Sequence, residues 1–270
     1  MTIETIGVIG YGQMGKGIAR LAAHGGFPVT VCTRKAIENS ASPKNIAFTT
    51  SYNELAEVDI VLEAITESLE AKQEIFKKLD AVCKPETIFA SGTSSLSITD
   101  MMAVVSAERQ KRFIGAHFFH PVLTMKLVEV ITTAQTDSEI YQPVLELIKK
   151  LKKVAIGAGD RPGFIVNRLL LVYLLNAIRL LEEGLASMAD IDAAMTLGCG
   201  HPMGPFALSD VIGLDVLLQA AQNVFKQTRD TRFAPPPLLQ RMVALGCYGR
   251  KAGKGFYSYA HGRKNSVSSS

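Results

Sequence analysis

The residues with the clearest chemical meaning form a glycine-rich turn near the start of the chain. A short apolar run ending in Val8-Ile9 leads into Gly10-Tyr11-Gly12-Gln13-Met14-Gly15. In such a turn the first glycine permits a tight bend, the second lets the backbone approach a pyrophosphate, and the third allows close packing of the next helix. Backbone N–H groups at the helix start then face negative charge. The pattern predicts a dinucleotide site; the alternative is a purely structural glycine turn.

A second chemical signal is the basic segment that follows the next apolar run. NAD-selective sites usually place an acid at the end of the second strand, where it binds the ribose 2′-hydroxyl. This chain has Cys32-Thr33-Arg34-Lys35 there, without a carboxylate. Arg34 and Lys35 offer positive charge to a 2′-phosphate, and the Thr33 hydroxyl is a possible donor. We therefore predict a preference for NADP over NAD, unless Arg34 packs over the adenine or points to solvent.

The elements that must position these residues change character midway along the chain. The first half alternates apolar runs with amphipathic stretches, as parallel strands and crossover helices do. The predicted strands are 5–9, 29–32, 60–63, 87–91, 113–117 and 126–131, and a helix is predicted at 72–82. The second half is helical, with predicted helices at 164–183, 190–197 and 209–226.

The predicted fold class is therefore α/β, with a Rossmann-type nucleotide-binding domain followed by an all-α C-terminal domain. Glycine and proline in 157–163 suit a hinge. We assign residues 1–159 to dinucleotide binding, 160–260 to a helical substrate and dimerisation domain, and 261–270 to a polar tail. A loop with Pro43 is expected at 41–45.

Composition excludes several classes of protein. The chain has 270 residues, 47% of them hydrophobic, and a net charge of +4 that is not massed into a basic block. Nucleic-acid binding is therefore not expected, and no apolar run approaches the roughly 18 residues of a membrane span. The N-terminus does not resemble a signal peptide, so a cytoplasmic location is expected. The four scattered cysteines predict reduced structural thiols, and no metal-ligand spacing is present.

Ordered motifs along nearly the whole chain resemble one family. They are Glu63-Ala64-Ile65-Thr66-Glu67, Gly92-Thr93-Ser94-Ser95-Leu96, His117-Phe118-Phe119-His120-Pro121, Leu127-Val128-Glu129-Val130-Ile131, Pro162-Gly163-Phe164-Ile165-Val166-Asn167-Arg168, His201-Pro202-Met203-Gly204-Pro205, Asp210-Val211-Ile212-Gly213-Leu214-Asp215 and Gly249-Arg250-Lys251-Ala252-Gly253-Lys254-Gly255-Phe256-Tyr257. Together they closely resemble the 3-hydroxyacyl-CoA dehydrogenase family.

That resemblance implies a catalytic base, His117, with Glu129 as its carboxylate partner. Histidine suits removal of a hydroxyl proton during hydride transfer because its pKa lies near operating pH. A carboxylate behind it would fix the ring tautomer and stabilise the imidazolium. Taken alone, a histidine at a strand end is more often structural.

Four further residues gain a role from the same resemblance. Ser94 and Asn167 match positions that hydrogen-bond the reacting oxygen or the substrate carbonyl, although either could be a local cap. Glu67 and Lys72 match residues near the nicotinamide ribose. Without the resemblance, Glu67 and Lys72 would be interpreted as a surface pair at a helix entry.

The family pattern is broken at three places. The family usually carries asparagine where this chain has Gly92 and His120. His120 could contact substrate, compete as a proton acceptor or fill space; we expect its replacement to alter mainly substrate preference, and replacement of His117 to abolish turnover. The helical arm that helps bind CoA is reduced to residues 36–48.

The resemblance thus implies an oxidoreductase that transfers a hydride between the 3-hydroxyl carbon of a hydroxyacyl thioester and NAD(P). The short arm leaves open a hydroxyacyl group on an acyl carrier protein, or a free hydroxy acid, as the substrate. A non-catalytic cofactor-binding protein is the alternative from another class. The apolar helices of the second half predict a homodimer.

Overall fold

We describe residues 2–35, 37 and 44–259 of the computed structural model. The chain forms two compact units, Met1–Phe164 and Ile165–Ser270. The predicted polar tail, residues 41–43 of the predicted loop and most of the shortened arm lie outside the described residues.

The first unit is built on one eight-stranded sheet. Its strands are β1 (Ile6–Ile9), β2 (Val29–Cys32), β3 (Ile46–Thr49), β4 (Ile60–Glu63), β5 (Ile88–Ser91), β6 (Phe113–Phe118), β7 (Leu127–Thr132) and β8 (Val154–Gly159). Their spatial order is β3-β2-β1-β4-β5-β6-β7-β8. The first six strands follow the order of a dinucleotide-binding Rossmann sheet, which confirms the predicted fold class.

Within its described residues, five α-helices accompany this sheet: α1 (Gln13–His24), α2 (Leu69–Asp80), α3 (Ile98–Met102), α4 (Ala107–Lys111) and α5 (Ser138–Lys150). Helix α1 buries Ile18, Leu21 and Ala22, which recur at helical spacing, in the apolar core of the sheet. Helix α2 begins three residues before the predicted start because the Ser68 hydroxyl caps it by accepting the N–H of Ala71.

Sequence patterns missed two strands and one strand direction. Strand β8 carries little buried surface, and its Val154 and Ile156 are 56% and 44% exposed. Pairing with β7 places β8 in the sheet, and its apolar run Val154-Ala155-Ile156 is too short to indicate a strand by itself. Strand β3 has a single buried residue, Ile46. Strand β7 is antiparallel to β6, unlike the parallel pairs before it.

The second unit is helical around its own apolar core. Its helices are α6 (Val166–Glu182), α7 (Met188–Cys199), α8 (Pro205–Ile212), α9 (Leu214–Thr228) and α10 (Pro237–Ala244). The prediction of one helix over 209–226 is wrong: α8 and α9 are separated at Gly213, whose φ of 102° lies in a region that favours glycine. None of the described helices is long and apolar enough to cross a membrane.

The first unit extends five residues past the predicted boundary at 159 because Asp160 and Phe164 are tied into it. The carboxylate of Asp160 accepts the N–H groups of Ile98 and Thr99 at the start of α3, while Phe164 joins the apolar core. The polypeptide therefore remains part of the first unit beyond β8.

Two buried carboxylates hold the segment at 256–259 of the second unit in place. Asp210 accepts the N–H groups of Phe256 and Tyr257, both at 2.9 Å, and the Tyr259 hydroxyl at 2.8 Å. Asp192 accepts the Tyr257 hydroxyl at 2.9 Å. A Cβ on Gly255 would overlap the Asp210 carboxylate, so glycine is needed for the close approach.

Candidate functional site

The glycine turn stands at the carboxyl end of β1 with an open side. Gly10 has a φ of 91°, and a Cβ there would lie 2.8 Å from the carbonyl oxygen of Ala64. A Cβ on Gly15 would overlap the Gly10 carbonyl, whereas one on Gly12 would meet no atom within 4 Å. Gly12 is the N-cap of α1 and provides no side-chain cap. This arrangement fits a pyrophosphate, which the N–H groups of Gln13, Met14 and Gly15 would bind.

The sheet brings other polar residues to the same edge. Strands β1, β4, β5 and β6 are mutually parallel, so their carboxyl ends lie together. Gly10, Glu63, Ser91 and His117 are therefore at or near one edge of the sheet. β1 lies between β2 and β4, where the strand order reverses, and ligands of open α/β sheets bind outside such a point.

At the end of β2 the basic segment forms a turn of its own. The N–H of Thr33 donates to the carbonyl of Thr49 at 2.9 Å, and the Thr33 hydroxyl donates to the carbonyl of Lys35 at 2.6 Å. The Thr33 hydroxyl proton is thus used to shape the turn, whereas the sequence suggested it as a donor to a 2′-phosphate. Arg34 and Lys35 are exposed.

His117 and Glu129 form a buried pair across two strands. They are direct partners in the antiparallel register of β6 and β7, with Nδ1 of His117 2.7 Å from Oε2 of Glu129. His117 is 5% exposed and Glu129 is fully buried. A carboxylate at Nδ1 favours the tautomer with the proton there, so Nε2 is the nitrogen that can accept a proton. The rings of Phe119 and Phe164 lie 4.4 and 5.8 Å from the imidazole.

The loop between these two strands is fastened by Lys153. Its Nζ donates to the carbonyl oxygens of Val122 and Met125, both at 2.6 Å, and of Leu123 at 3.2 Å. Burial, followed by the nearby charge of Lys126, lowers the pKa of Lys153. These contacts keep the ends of β6 and β7 in a single arrangement.

His120 lies beside the glycine turn. Its Nε2 is 2.8 Å from Nε2 of Gln13, the first residue of α1. The loop that follows His117 is therefore connected to the turn that fits a pyrophosphate. The predicted contact of His120 with substrate stays a prediction.

Lys72 is buried between two acids. It is 1% exposed, with Nζ 2.6 Å from Oε1 of Glu63 and 3.5 Å from Oε2 of Glu67. The alternative that Glu67 and Lys72 form a surface pair is therefore wrong, because α2 packs the lysine into the interior.

Glu67 organises the loop after β5. Its Oε1 accepts hydrogen bonds from the hydroxyls of Thr93, Ser94 and Ser95 and from the N–H groups of Ser94 and Ser95, at 2.7–3.2 Å. Burial raises the pKa of Glu67, but the charge of Lys72 and these donors outweigh it and hold the pKa below its ordinary value. Ser94 is consequently fixed by the loop and does not act as a helix cap.

Asn167 lies in the first turn of α6 in the second unit. The N-cap of that helix is Ile165, so the alternative role of Asn167 as a cap does not apply. Its predicted role toward substrate remains to be tested.

The residue that sequence reasoning missed is Glu63, which received no role although its motif was noted. It ends the apolar run Ile60-Val61-Leu62 and is fully buried. A charged residue that closes a buried strand was the available signal. The neighbouring Gly92 donates its N–H to the Glu63 carbonyl at 2.8 Å, and a Cβ on Gly92 would lie 2.9 Å from that oxygen. Asparagine, the usual family residue, would require a local shift here.

The four cysteines are free. Three are buried, and burial raises the pKa of the Cys83 thiol to about 11, as expected for a structural thiol. Cys199 is exposed at the end of α7 and so differs from that prediction. No group of three or more potential metal ligands occurs within the described residues.

Two family models together match most of the chain. The NAD-binding domain of 3-hydroxyacyl-CoA dehydrogenase matches residues 5–41 and 35–161. The C-terminal domain of 3-hydroxyacyl-CoA dehydrogenase matches residues 163–259. The two segments of the first match meet where the arm is shortened.

Individual relatives are similar over their whole length. A 3-hydroxybutyryl-CoA dehydrogenase of Mycobacterium tuberculosis is 40% identical, with 95% of this chain and 99% of the relative covered. The mitochondrial hydroxyacyl-coenzyme A dehydrogenase of Homo sapiens is also 40% identical, and the match covers 95% of this chain and 91% of the relative. The solved structure of (S)-3-hydroxybutyryl-CoA dehydrogenase from Ralstonia eutropha has a TM-score of 0.89 and 39% sequence identity. The match covers 96% of this chain and 100% of that chain.

Proposed function

The chain belongs to the 3-hydroxyacyl-CoA dehydrogenase family, and we propose that it transfers a hydride between the 3-hydroxyl carbon of a short 3-hydroxyacyl-CoA, such as (S)-3-hydroxybutyryl-CoA, and a nicotinamide cofactor. The single observation that supports this activity best is the buried His117–Glu129 pair at the edge of the sheet that carries the glycine turn. A protein that only binds the cofactor has no need of such an acid–base pair.

In this proposal His117 moves the proton. Its Nε2 takes the proton of the substrate hydroxyl during oxidation and returns it during reduction, while Glu129 at Nδ1 stabilises the imidazolium. The nicotinamide, when bound, supplies the hydride acceptor or donor. Ser94 and Asn167 are proposed as hydrogen-bond donors to the substrate oxygen, where charge changes during the reaction.

The test is reduction of acetoacetyl-CoA, followed by loss of the absorbance of NADPH or NADH. The wild-type protein should consume the cofactor, and His117→Ala should lose at least about 100-fold in kcat. His24→Ala is the matched control because His24 is exposed at the end of α1. Turnover by His117→Ala at the wild-type rate would refute the assignment of His117 as the base.

For the cofactor, the NAD-binding domain is established by the family match, and we propose that NADP is preferred over NAD. The support is that residues 33–35 offer two exposed cations and no carboxylate at the end of β2. A 2′-phosphate would gain charge-assisted hydrogen bonds there, while a 2′-hydroxyl would lack its usual acidic partner. Gln13, Met14, Glu67 and Lys72 are proposed to contact the rest of the cofactor.

A second copy of the chain is the proposed partner of the helical unit. Several leucines of that unit are strongly exposed: Leu169 by 71%, Leu185 by 69%, Leu197 by 87% and Leu245 by 80%. Burial of such side chains on self-association would remove apolar area from water. Light scattering should give twice the chain mass, and a monomer would contradict the proposal. A CoA thioester remains the proposed substrate, and a cytoplasmic location stays a prediction.

A further inference from the structure

Glu63 is a buried acid that the proposed reaction does not use directly. Its side chain at the end of β4 is held from two sides: Oε2 accepts the Ser91 hydroxyl at 2.6 Å, and Oε1 accepts the N–H of Ile65 at 2.7 Å. A carboxylate with both oxygens engaged has one orientation. Burying such a charge costs free energy unless a group of opposite charge is paired with it.

That partner is Lys72, whose ammonium group is itself buried. The contact from Lys72 Nζ to Glu63 Oε1 is 2.6 Å, against 3.5 Å to Glu67 Oε2. Glu63 is thus the nearer counter-charge and determines where the ammonium group lies. Glu67 stays close enough to be stabilised as a carboxylate, while its other oxygen remains directed to the loop at 93–95.

We infer that Glu63 is a positioning residue: it anchors the Lys72 ammonium group so that Glu67 holds the 93–95 loop, and with it Ser94, in the arrangement that turnover requires. The inference rests on the proposed function for what Ser94 does. Without the Glu63 charge, Glu67 is the carboxylate left beside Lys72 among the described residues. The ammonium group then approaches Oε2 of Glu67 and draws the carboxylate away from the five loop donors, all of which bind Oε1.

The first experiment compares Glu63→Gln with Glu74→Gln in the full-length protein. Glu74 lies on α2, the helix that carries Lys72, but it is exposed and pairs with Lys78 at the surface. Glu63→Gln should lower kcat by about 10- to 100-fold, by analogy with the loss of a residue that orients a metal ligand. NADH affinity, measured by fluorescence of the bound reduced nicotinamide, should weaken as well, while Tm changes by a few degrees. Glu74→Gln should match wild type.

A double-mutant cycle with Lys72→Met separates positioning from a general structural role. If Glu63 acts through Lys72, the double variant is no slower than Lys72→Met alone, and NADH affinity shows the same lack of additivity. Effects that multiply would overturn the inference, since Glu63 would then act independently of the lysine. Wild-type kcat and NADH affinity in folded Glu63→Gln would also overturn it.

Ser91→Ala provides a second variant if Glu63→Gln does not fold. It removes one anchor of Glu63, together with the acceptor of the Thr93 N–H, without changing any charge. It should lower kcat and NADH affinity by a few-fold, with a lower Tm because a buried carboxylate oxygen loses a donor. No change in either quantity would contradict the inference. Failure of the proposed function looks different: wild type itself would not reduce acetoacetyl-CoA, whereas NADH binding by the variants would still report on Glu63.

Discussion

Replacement of Glu129 by Gln tests the hydrogen bond on which proton transfer depends. The carboxylate is fully buried and its Oε2 lies 2.7 Å from Nδ1 of His117. An amide of the same shape can donate to Nδ1, which would move the ring proton to Nε2, the nitrogen that must accept a proton from substrate. The substitution therefore removes both the correct tautomer and the negative charge behind the imidazolium.

The size of the effect follows from the separation of the charges. With the centres of the imidazolium and the carboxylate about 4 Å apart, an effective dielectric constant near 20 gives ~4 kcal/mol of attraction. Loss of that attraction in the transition state corresponds to about a 1000-fold decrease in kcat. The equivalent change in a hydrolase triad costs about 10⁴-fold, so the value is of the expected order.

The assay is steady-state reduction of acetoacetyl-CoA, with Tm recorded for each variant. Glu146→Gln is the control because Glu146 is exposed on α5. The double variant His117→Ala with Glu129→Gln should be no slower than His117→Ala, since Glu129 acts through the ring. A kcat within about threefold of wild type for Glu129→Gln would refute the reasoning, because the loss worked out above is far larger.

Three further predictions concern the cofactor, the loops and stability. Arg34→Gln should lower the ratio of kcat/KM for NADPH to that for NADH by about 10- to 100-fold, the cost of a lost charge-assisted hydrogen bond; a wild-type preference for NADH would contradict the proposal. His120→Ala should raise KM for the cofactor, because it breaks the contact with Gln13, in addition to the expected change in substrate preference; measured constants for both ligands that match wild type would show that His120 only fills space. Burial, and after it the charge of Asp192, raises the pKa of Asp210. The ionised form is therefore less favoured in the folded chain than in the unfolded chain. The free energy of unfolding should consequently fall as the pH rises from about 4 through the raised pKa. Asp210→Asn should flatten that slope in denaturant titrations and lower stability by about 2 kcal/mol through lost hydrogen bonds; an unchanged slope would rule out this origin.

Short sequence patterns predicted those elements whose structure depends on residues close together in the chain. The glycine turn, the buried strands around it and the helix that follows the turn were predicted from residue types that are neighbours in the sequence. The strand at 154–159 could not be predicted this way, because its apolar run, Val154-Ala155-Ile156, is only three residues long and its position depends on pairing with β7. Similarly, the break at Gly213 is hidden within a continuous helical pattern.

The candidate site likewise contains residues that could be identified from the sequence and contacts that required the fold. His117 and Glu129 were paired from the family resemblance, and the geometry became visible only with the antiparallel register of their strands. The burial of Lys72 could not be predicted, because the lysine reaches Glu63 across nine positions of sequence and a turn. Glu63 itself requires the fold, since its anchor Ser91 belongs to a different strand.

The hairpin register of β6 and β7 limits which changes of sequence this enzyme can accept without separating His117 from Glu129. Because His117 faces Glu129 through strand pairing, the two side chains meet only while the register of the hairpin is kept, and turn geometry and loop length help to set that register. Insertions or deletions between Phe119 and Lys126 therefore preserve the dyad only where they leave this register unchanged. A slip of one residue in the pairing would instead place Val128 or Val130 opposite the histidine and end proton transfer.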